Sequence, residues 1–391
     1  MKDRCLTEKR IESQPSWVIF NKNVELAVTK LGAHMAPVTF CRDERQTVQP
    51  YHISPWQNEK LAGLPPVLTP LRGDFFCMPF GGGGAPLRGE QHPFHGETAG
   101  NPWSLDACKN EGGVTTLGLV LKTKARPGTV RRSFSLIDGQ NVVYCLTAVD
   151  GFRGPSSFSH HAVLRTTGED RTLLISTSKF FAGRTYPVPS ANPAEGEYQS
   201  LAMDASFRSL ARVPSIFRGQ PPSDCSAFPV RRGFGDLLSV FDKPGKPGPS
   251  WVTAVNIAEG WMWFALKDPA VMPGRLFWIE NHSRHASPWS GRNCNLGIED
   301  GCMYFDRLVD SCGRNPISRL GIPTSCNFPG DRTVAIRYIQ GAVRVPRGFD
   351  RVARVRFVPG AAVFESVSGR TSTVPVKHEF LFDGKLDKAA G

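Results

Sequence analysis

The chain has 391 residues, of which 40% are hydrophobic and 21% charged, so it holds enough apolar material for a folded core. Its 39 glycines and 32 prolines are spread along the whole length, which excludes a helical bundle, a coiled coil and a collagen-like rod. The formal net charge is +12, but much of the excess is arginine at strand-like spacing, and no nucleic-acid-binding motif accompanies it. We therefore expect no nucleic acid partner.

Short β-prone runs bounded by turn residues recur along the chain, as in large all-β proteins. Asp138-Gly139 lies before one of these runs and predicts a hairpin turn. Two runs, near residues 261 and 276, are rich in aromatic residues that suit packed sheet faces. The predicted strands are 24–29, 114–121, 141–148, 172–177, 251–257, 261–266, 275–279, 333–339 and 352–358.

Three segments predict loops: residues 72–103, 186–197 and 243–250. The first contains the glycine run 81–84, which is followed by Ala85-Pro86 and lacks the Lys-Ser/Thr of a phosphate-binding loop, so we predict a loop tip there. No polar tract separates two self-sufficient halves. We therefore predict one domain over residues 1–391.

The predicted location is the cytoplasm. Residues 1–10 contain no apolar segment of a secretory signal, and no stretch approaches the ~18 apolar residues of a membrane span. The ten cysteines include no Cys-x-x-Cys pair, so we expect reduced thiols and no zinc site. A membrane partner is not expected, and the sequence does not indicate an oligomeric state.

A set of short motifs rich in polar residues follows in order along the chain. The set is Arg72 before Pro79-Phe80-Gly81, then His95-Gly96, Trp103, the pair His160-His161, and Leu296-Gly297-Ile298-Glu299. Over residues 23–357 this order resembles the aldose 1-epimerase (galactose mutarotase-like) superfamily. The resemblance implies an all-β fold, a large antiparallel β-supersandwich, with its site in an open cleft on one concave sheet face. It also implies interconversion of the anomers of a hexose or hexose derivative.

Anomer interconversion requires a base that removes the proton of the C1 hydroxyl and an acid that protonates the ring oxygen. The resemblance implies Glu299 as the base, His161 as the acid and His95 as a hydrogen-bonding group where charge develops. Arg72 would anchor a hydroxyl or an anionic group of a small carbohydrate, because its guanidinium offers several donors in a fixed fork. This chemistry needs no metal and no organic cofactor.

Four further residues are candidates for substrate binding: Asp74, His160, Asp236 and Trp289. His160 competes with His161 for the role of acid, because strand parity decides which of the two faces the cleft. Asp236 lies about midway between the second histidine motif and the carboxylate motif, where the resemblance implies a substrate-binding aspartate, but the family's local motif is absent around it.

Other interpretations stay open beside these. Glu299 could be a solvent-exposed carboxylate at a strand end, although its apolar lead-in favours partial burial and a raised pKa. His282 and His285 have the spacing of metal ligands on a helix, but their surroundings favour a loop.

The chain also departs from the family pattern. The departures are Ala162-Val163 after the second histidine, Asp300 after the glutamate and Glu97-Thr98-Ala99 after His95-Gly96. They leave two alternative functions: a sugar-binding or regulatory protein without turnover, and a domain associated with a polysaccharide lyase or hydrolase. The second would require a catalytic domain for which no sequence remains.

Overall fold

The computed structural model of the chain describes residues 5–386. They form 25 strands, three short α-helices and two 3₁₀ turns, Pro193–Glu195 and Ser318–Leu320, so the predicted all-β class is confirmed. The helices are α1 (Gly96–Gly100), α2 (Leu308–Cys312) and α3 (Phe380–Asp383). The strands are β1 (Thr7–Ile11), β2 (Gln14–Phe20), β3 (Glu25–Thr29), β4 (Met35–Thr39), β5 (Asp74–Cys77), β6 (Ser104–Glu111), β7 (Val114–Thr123), β8 (Gly128–Ile137), β9 (Val142–Asp150), β10 (Arg153–Ser156), β11 (Phe158–Arg165), β12 (Leu173–Thr177), β13 (Ala182–Thr185), β14 (Ser206–Phe207), β15 (Ala227–Phe228), β16 (Phe234–Phe241), β17 (Ser250–Asn256), β18 (Trp261–Lys267), β19 (Gly274–Asn281), β20 (Cys294–Cys302), β21 (Cys326–Pro329), β22 (Val334–Arg344), β23 (Val352–Val358), β24 (Ala361–Ser366) and β25 (Thr371–Pro375).

Two large antiparallel sheets face each other. The first has eleven strands in the order β1-β2-β3-β4-β5-β11-β20-β19-β16-β13-β14, and the second has nine in the order β15-β12-β17-β18-β22-β9-β8-β7-β6. The largest hydrophobic cluster draws on both sheets, with Phe76 and Ile298 from the first and Phe134 and Trp263 from the second. Burying these apolar faces against each other stabilises the sandwich.

The central strands of the first sheet are buried on both faces. Nearly every residue of β5, β11, β19 and β20 is inaccessible to solvent. Side chains alternate between the faces of a strand. One set therefore enters the core between the sheets, while the other joins a second cluster, on the opposite face, that includes Phe75, Val163, Leu276 and Trp278.

The smallest sheets complete the architecture. Strands β10 and β21 form a two-stranded ribbon, and β23, β24 and β25 form a three-stranded sheet. Phe364 and Val374 of the latter pack with Phe264 and Ile339 of the nine-stranded sheet in a third hydrophobic cluster. That cluster covers the outer face of the second sheet, on the side away from the eleven-stranded sheet.

All nine predicted strands are present, with ends shifted by a few residues. The hairpin predicted at Asp138-Gly139 joins β8 to β9. The segment 72–103 is only partly a loop, because it contains β5 and α1, and this part of the expectation was wrong. Among the described residues, no helix is long and apolar enough to cross a membrane. The single domain remains a prediction.

A buried ionic cluster lies between the sheets. The Asp300 carboxylate is 2.8 Å from Lys267 Nζ and 2.9 Å from Arg275 Nε, and it accepts a hydrogen bond of 2.9 Å from the Tyr338 hydroxyl. Burial opposes the ionisation of Asp300, but the two cations outweigh it and hold the pKa of this carboxyl below its usual value. The departure from the family pattern at residue 300 therefore has a structural role.

Replacing Asp300 by Ala removes the anion that balances two buried cations. We expect the free energy of unfolding to fall by about 3–5 kcal/mol, because breaking a buried ion pair leaves its partners desolvated and unpaired. Urea denaturation measures this change. The control is Glu365→Gln, which removes a half-buried surface carboxylate paired with the exposed Arg354 and Arg356 and should change stability much less. Equal effects of the two substitutions would contradict the importance assigned to the buried cluster.

Candidate active site

Strand β11 points its two histidines to opposite faces of the eleven-stranded sheet. His160 faces the second sheet, where its ring stacks on Tyr338 at 4.2 Å between centroids. His161 faces the other way and stacks on Phe75 at 4.4 Å. Asp74 of β5 fixes this arrangement, since it lies 2.9 Å from His160 Nδ1 and accepts a 3.1 Å hydrogen bond from the backbone N–H of His161. His161 is thus the histidine that faces the cavity described below.

Glu299 lies beside His161 because of the register between β11 and β20. Ala162 pairs with Ile298 and Ser159 with Gly301, so residues 161 and 299 lie opposite each other on one face of the sheet. His161 Nε2 is 3.3 Å from Glu299 Oε1, and both side chains are almost completely buried. Two residues that are 138 positions apart in sequence therefore form one contact.

The glycine of the Leu-Gly-Ile-Glu motif makes room for this carboxyl. Gly297 shares a strand face with Glu299 and pairs across the sheet with Trp278. A Cβ at residue 297 would lie 2.9 Å from the Cβ of Trp278 and 3.0 Å from Glu299 Oε1, closer than ordinary contact. The motif thus has a steric reason, because only glycine leaves the carboxyl and the indole in their present positions.

The His95-Gly96 loop carries a second histidine to the same face. Both residues have positive φ, 61° and 75°, and a Cβ at Gly96 would lie 2.1 Å from the Met78 carbonyl oxygen. Thr98 accepts a hydrogen bond from Met78 N–H and donates one to the Phe76 carbonyl, which ties the loop to β5. His95 therefore lies with its ring centroid 5.3 Å from that of His161.

These side chains line one cavity on the outer face of the eleven-stranded sheet, which we call the first cavity. It encloses about 500 Å³, including the space at its open mouth. Its polar lining consists of His95, His161, Arg284, Glu299 and Asp306. Its aromatic lining consists of Phe75, Phe94, Trp278 and Trp289. Aromatic walls with a few convergent polar groups are typical of small-molecule sites.

Burial acts in opposite directions on the two partners of the central contact. It raises the pKa of Glu299 well above its usual value, and the nearby Asp306 carboxyl adds to the effect. Burial lowers the pKa of His161 to about 3. Both shifts favour uncharged groups. At this 3.3 Å contact, burial therefore favours a protonated carboxyl beside a neutral imidazole over an ion pair.

Burial likewise lowers the pKa of His95 well below its usual value, with a further contribution from His161. A neutral imidazole can donate at one nitrogen and accept at the other. His95 Nδ1 and His161 Nδ1 are buried without a hydrogen-bond partner among the described residues. Buried polar atoms are usually paired, so these two nitrogens are exceptions in the structure.

Two polar residues of the first cavity were not among the predicted candidates. Arg284 stands over the rings of Trp278 and Trp289, at 5.3 and 4.7 Å from their centroids. Its nearest carboxylate is Glu280, at 3.7 Å from Nε. Asp306 accepts a 2.7 Å hydrogen bond from the Tyr186 hydroxyl, and burial raises its pKa. In the sequence, Arg284 lies between Trp278 and Trp289, and this order was the available signal. The sequence did not show that the three side chains are in contact.

Arg72, the predicted anchor, does not reach the first cavity. It is fully buried, and its guanidinium donates to the carbonyls of Ile11 and Glu12 at 3.0 and 2.8 Å and to Gln57 Oε1 at 2.5 Å. Every one of these acceptors belongs to the protein itself. The arginine ties the first strand hairpin to the sheet, and Arg284 is the arginine of the cavity.

Three other candidates lie outside the first cavity. Asp74 and His160 lie in the core between the sheets, where Arg132 adds a cation 3.7 Å from the Asp74 carboxylate. Asp236 accepts hydrogen bonds from the backbone N–H groups of Ser200 and Leu201 at 2.9 and 2.8 Å, which fixes a loop. The sequence predicted direct substrate contacts for these three residues, and none of them lines the first cavity. Trp289 is the substrate-binding candidate that lines the cavity.

No group of three or more metal-ligating side chains occurs within residues 5–386. His282 lies just after β19, where its Nδ1 is 2.7 Å from the Gly291 carbonyl oxygen, and His285 is exposed. The two residues lie in a loop, as the sequence indicated, and not on a helix.

No family model matches the chain, and no curated protein matches it. Solved structures do match. A candidate mutarotase from Salmonella typhimurium has a TM-score of 0.57 at 11% identity, over 88% of this chain and 95% of that chain. A galactose mutarotase-like protein from Clostridium acetobutylicum has 0.57 at 10%, over 87% and 98%. A candidate aldose 1-epimerase from Escherichia coli K12 has 0.54 at 11%, over 87% and 100%. At such identities the likeness shows the fold alone.

The buried histidines predict a loss of stability in acid. Those with lowered pKa values are His34, His52, His95 and His161. An unfolded histidine titrates near pH 6.5, so below that pH the unfolded chain binds more protons than the native protein does. For His161 this difference extends down to about pH 3. The free energy of unfolding therefore falls as the pH is lowered through this window.

His161→Gln removes one of these groups. We expect the slope of the unfolding free energy against pH, measured by chemical denaturation between pH 6 and 4, to decrease by up to about 1.4 kcal/mol per pH unit. The matched control is His285→Gln, at an exposed position. An unchanged slope in the first variant would contradict a neutral, buried His161.

Proposed function

Since the chain has the galactose mutarotase-like fold, we propose that it catalyses the interconversion of the anomers of a hexose or hexose derivative in the first cavity. The reaction opens the sugar ring to the aldehyde and closes it on the other face. It requires a proton acceptor at the C1 hydroxyl and a proton donor at the ring oxygen. It requires no metal and no organic cofactor, and the cytoplasm remains our expected location.

The contact between His161 and Glu299 carries this proposal. Two titratable groups with pKa values displaced in opposite directions meet at 3.3 Å in a cavity with aromatic walls. Such pairs occur preferentially at catalytic sites. The pair provides one proton donor and one proton acceptor, which are the two groups that ring opening requires. Ring closure returns both groups to their starting protonation states.

The group that holds the proton before the reaction acts as the acid in ring opening, and the other group acts as the base. With the proton on Glu299, the carboxyl donates to the ring oxygen while His161 removes the proton of the C1 hydroxyl, the reverse of the assignment expected from the sequence. Ring closure then runs in the opposite direction: His161 returns its proton to the C1 oxygen, and the Glu299 carboxylate takes the proton of the C5 hydroxyl. Each residue is thus an acid in one half of the reaction and a base in the other.

His95 and Arg284 have supporting roles in this proposal. A neutral His95 donates a hydrogen bond to the sugar oxygen on which negative charge develops. Arg284 binds sugar hydroxyls or an anionic substituent, because its guanidinium has several donors and its one carboxylate partner, Glu280, lies on the Nε side at 3.7 Å. Trp278 and Trp289 hold that guanidinium in place by cation–π contact.

A second candidate function is sugar binding without turnover. The observation that favours it is the direct contact of Glu299 and His161, which leaves no gap of the width of a sugar edge between them. Catalysis requires the Glu299 side chain to turn away from His161 when a sugar enters. A non-catalytic binder would instead hold its ligand elsewhere in the first cavity.

Glu299→Gln tests the acid–base pair. We expect the rate of anomer exchange to fall at least about 100-fold, because the amide keeps the shape of the side chain but transfers no proton. Since burial disfavours the Glu299 carboxylate, the melting temperature at pH 8 should stay equal or rise. Polarimetry and NMR exchange measurements with a panel of hexoses and hexose phosphates give the rates.

Glu365→Gln, on the three-stranded sheet and outside the first cavity, serves as the matched control and should exchange anomers at the wild-type rate. If the wild-type protein binds a sugar of the panel without accelerating exchange, the second candidate function is correct. A Glu299→Gln variant with full activity would eliminate the carboxyl from the mechanism.

Arg284→Met tests the substrate anchor. We expect KM to rise by about 10- to 100-fold, since a hydrogen bond from a charged donor contributes about 1.5–3 kcal/mol. Arg284→Lys keeps the charge and should lie between the wild type and Arg284→Met. Comparing KM for a hexose and its phosphate shows whether the anchor binds hydroxyls or an anion. An unchanged KM for both would contradict the role of Arg284.

A further inference from the structure

A second compartment adjoins the first cavity. It encloses about 910 Å³, including space open to solvent, and it lies between the glycine run at 82–84 and the segment 306–310, which includes the first residues of α2. Phe94 and Asp306 line both spaces. The two spaces therefore adjoin each other at these two side chains.

The walls of the second compartment combine exposed apolar surface with hydrogen-bonding groups. Phe94 and Val309 are large apolar side chains that are exposed to solvent, at 41% and 43%. Phe94 lies over His95 at 3.9 Å between ring centroids, so its outer surface is held in one orientation. The Tyr186 hydroxyl and the Asp306 carboxyl, joined by a 2.7 Å hydrogen bond, supply polar groups at the junction.

The charges of this compartment favour an uncharged occupant. Arg307 is the only cation among its lining residues, and it forms an ion pair with Asp310 in the same compartment. No free cation of the lining remains to attract a phosphate or a carboxylate. An apolar platform beside hydroxyl and carboxyl groups instead matches a sugar ring, which has apolar C–H faces and hydroxyl edges.

We propose that the second compartment is a subsite for a second, uncharged glycosyl unit, so that the preferred substrate is a reducing oligosaccharide rather than a free hexose. This inference rests on the proposed function, because it takes the reducing-end ring to lie between His161 and Glu299. Phe94 would contact both units, and the glycine run would leave room for the second.

The glycine run offers a way to fill this space without straining the backbone. Gly84 lines the compartment, its φ lies outside the left-handed region, and a Cβ there would meet no atom within 4 Å. Gly84→Trp therefore adds an indole to the wall of the compartment without a clash at its Cβ. Val367→Trp adds the same side chain at a distant turn between β24 and β25, where Val367 is 66% exposed, and serves as the matched control.

The test compares kcat/KM for anomer exchange of maltose, isomaltose and lactose with that of glucose and galactose. For the wild-type protein we expect at least one disaccharide to exceed its monosaccharide about tenfold. Gly84→Trp should lower the ratio of disaccharide to monosaccharide at least tenfold, and Val367→Trp should keep it. Melting temperatures establish that both variants are folded.

Other results separate the two hypotheses. Exchange of monosaccharides with no disaccharide preference, and an unchanged ratio in Gly84→Trp, overturns the subsite and leaves the proposed function intact. A selective loss for glucose 6-phosphate in Gly84→Trp overturns the uncharged occupant. If no sugar is exchanged, the proposed function fails, and tryptophan fluorescence titration then decides: a disaccharide that binds no more tightly than its monosaccharide overturns the subsite.

Discussion

The position of the catalytic candidate depends on one buried carboxylate, Asp74. It contacts His160 Nδ1 on the side of the second sheet and binds the backbone N–H of His161, whose side chain points the other way. Burial opposes its ionisation, but the charges of His160 and Arg132 and the hydrogen bond from His160 outweigh it, so its pKa lies below the usual value. These contacts thus fix the orientation of β11 in which the His160 side chain enters the core between the sheets and the His161 side chain faces the cavity. Asp74 acts through this strand and not through contact with substrate.

The same sandwich creates two kinds of environment for ionisable groups. Between the sheets, Asp74 and Asp300 are balanced by buried cations and stay charged. On the cavity face, Glu299 has no close cation of this kind, and burial favours its neutral form. The chemistry proposed for His161 and Glu299 follows from this difference. An acid–base catalyst must lose and regain a proton, and a close cation would keep the carboxyl in its charged form. Arg284, at the mouth, is the nearest counter-charge and lowers the pKa of Glu299 only in part.

Much of this arrangement was predictable from the sequence, and the exceptions have physical reasons. Strand runs and the ordered motifs identified the fold class and brought His95, His161 and Glu299 to one site. The choice between His160 and His161 was not predictable, because β11 is buried on both faces and its apolar pattern therefore contains no parity signal. Arg72 was misassigned, since the destination of a long side chain depends on packing, here against the Ile11 turn. Arg284 was missed because its two tryptophans become neighbours only in the folded chain.

We propose that His161 and Glu299 form a neutral pair that holds one mobile proton. The most direct test is ¹⁵N NMR of the His161 imidazole across a pH titration, in the wild-type protein and in Glu299→Gln. We expect one protonated and one unprotonated ring nitrogen from pH 8 down to about pH 4, in both proteins. An imidazolium at neutral pH that loses its charge in Glu299→Gln would contradict it, because Glu299 would then be a carboxylate in an ion pair.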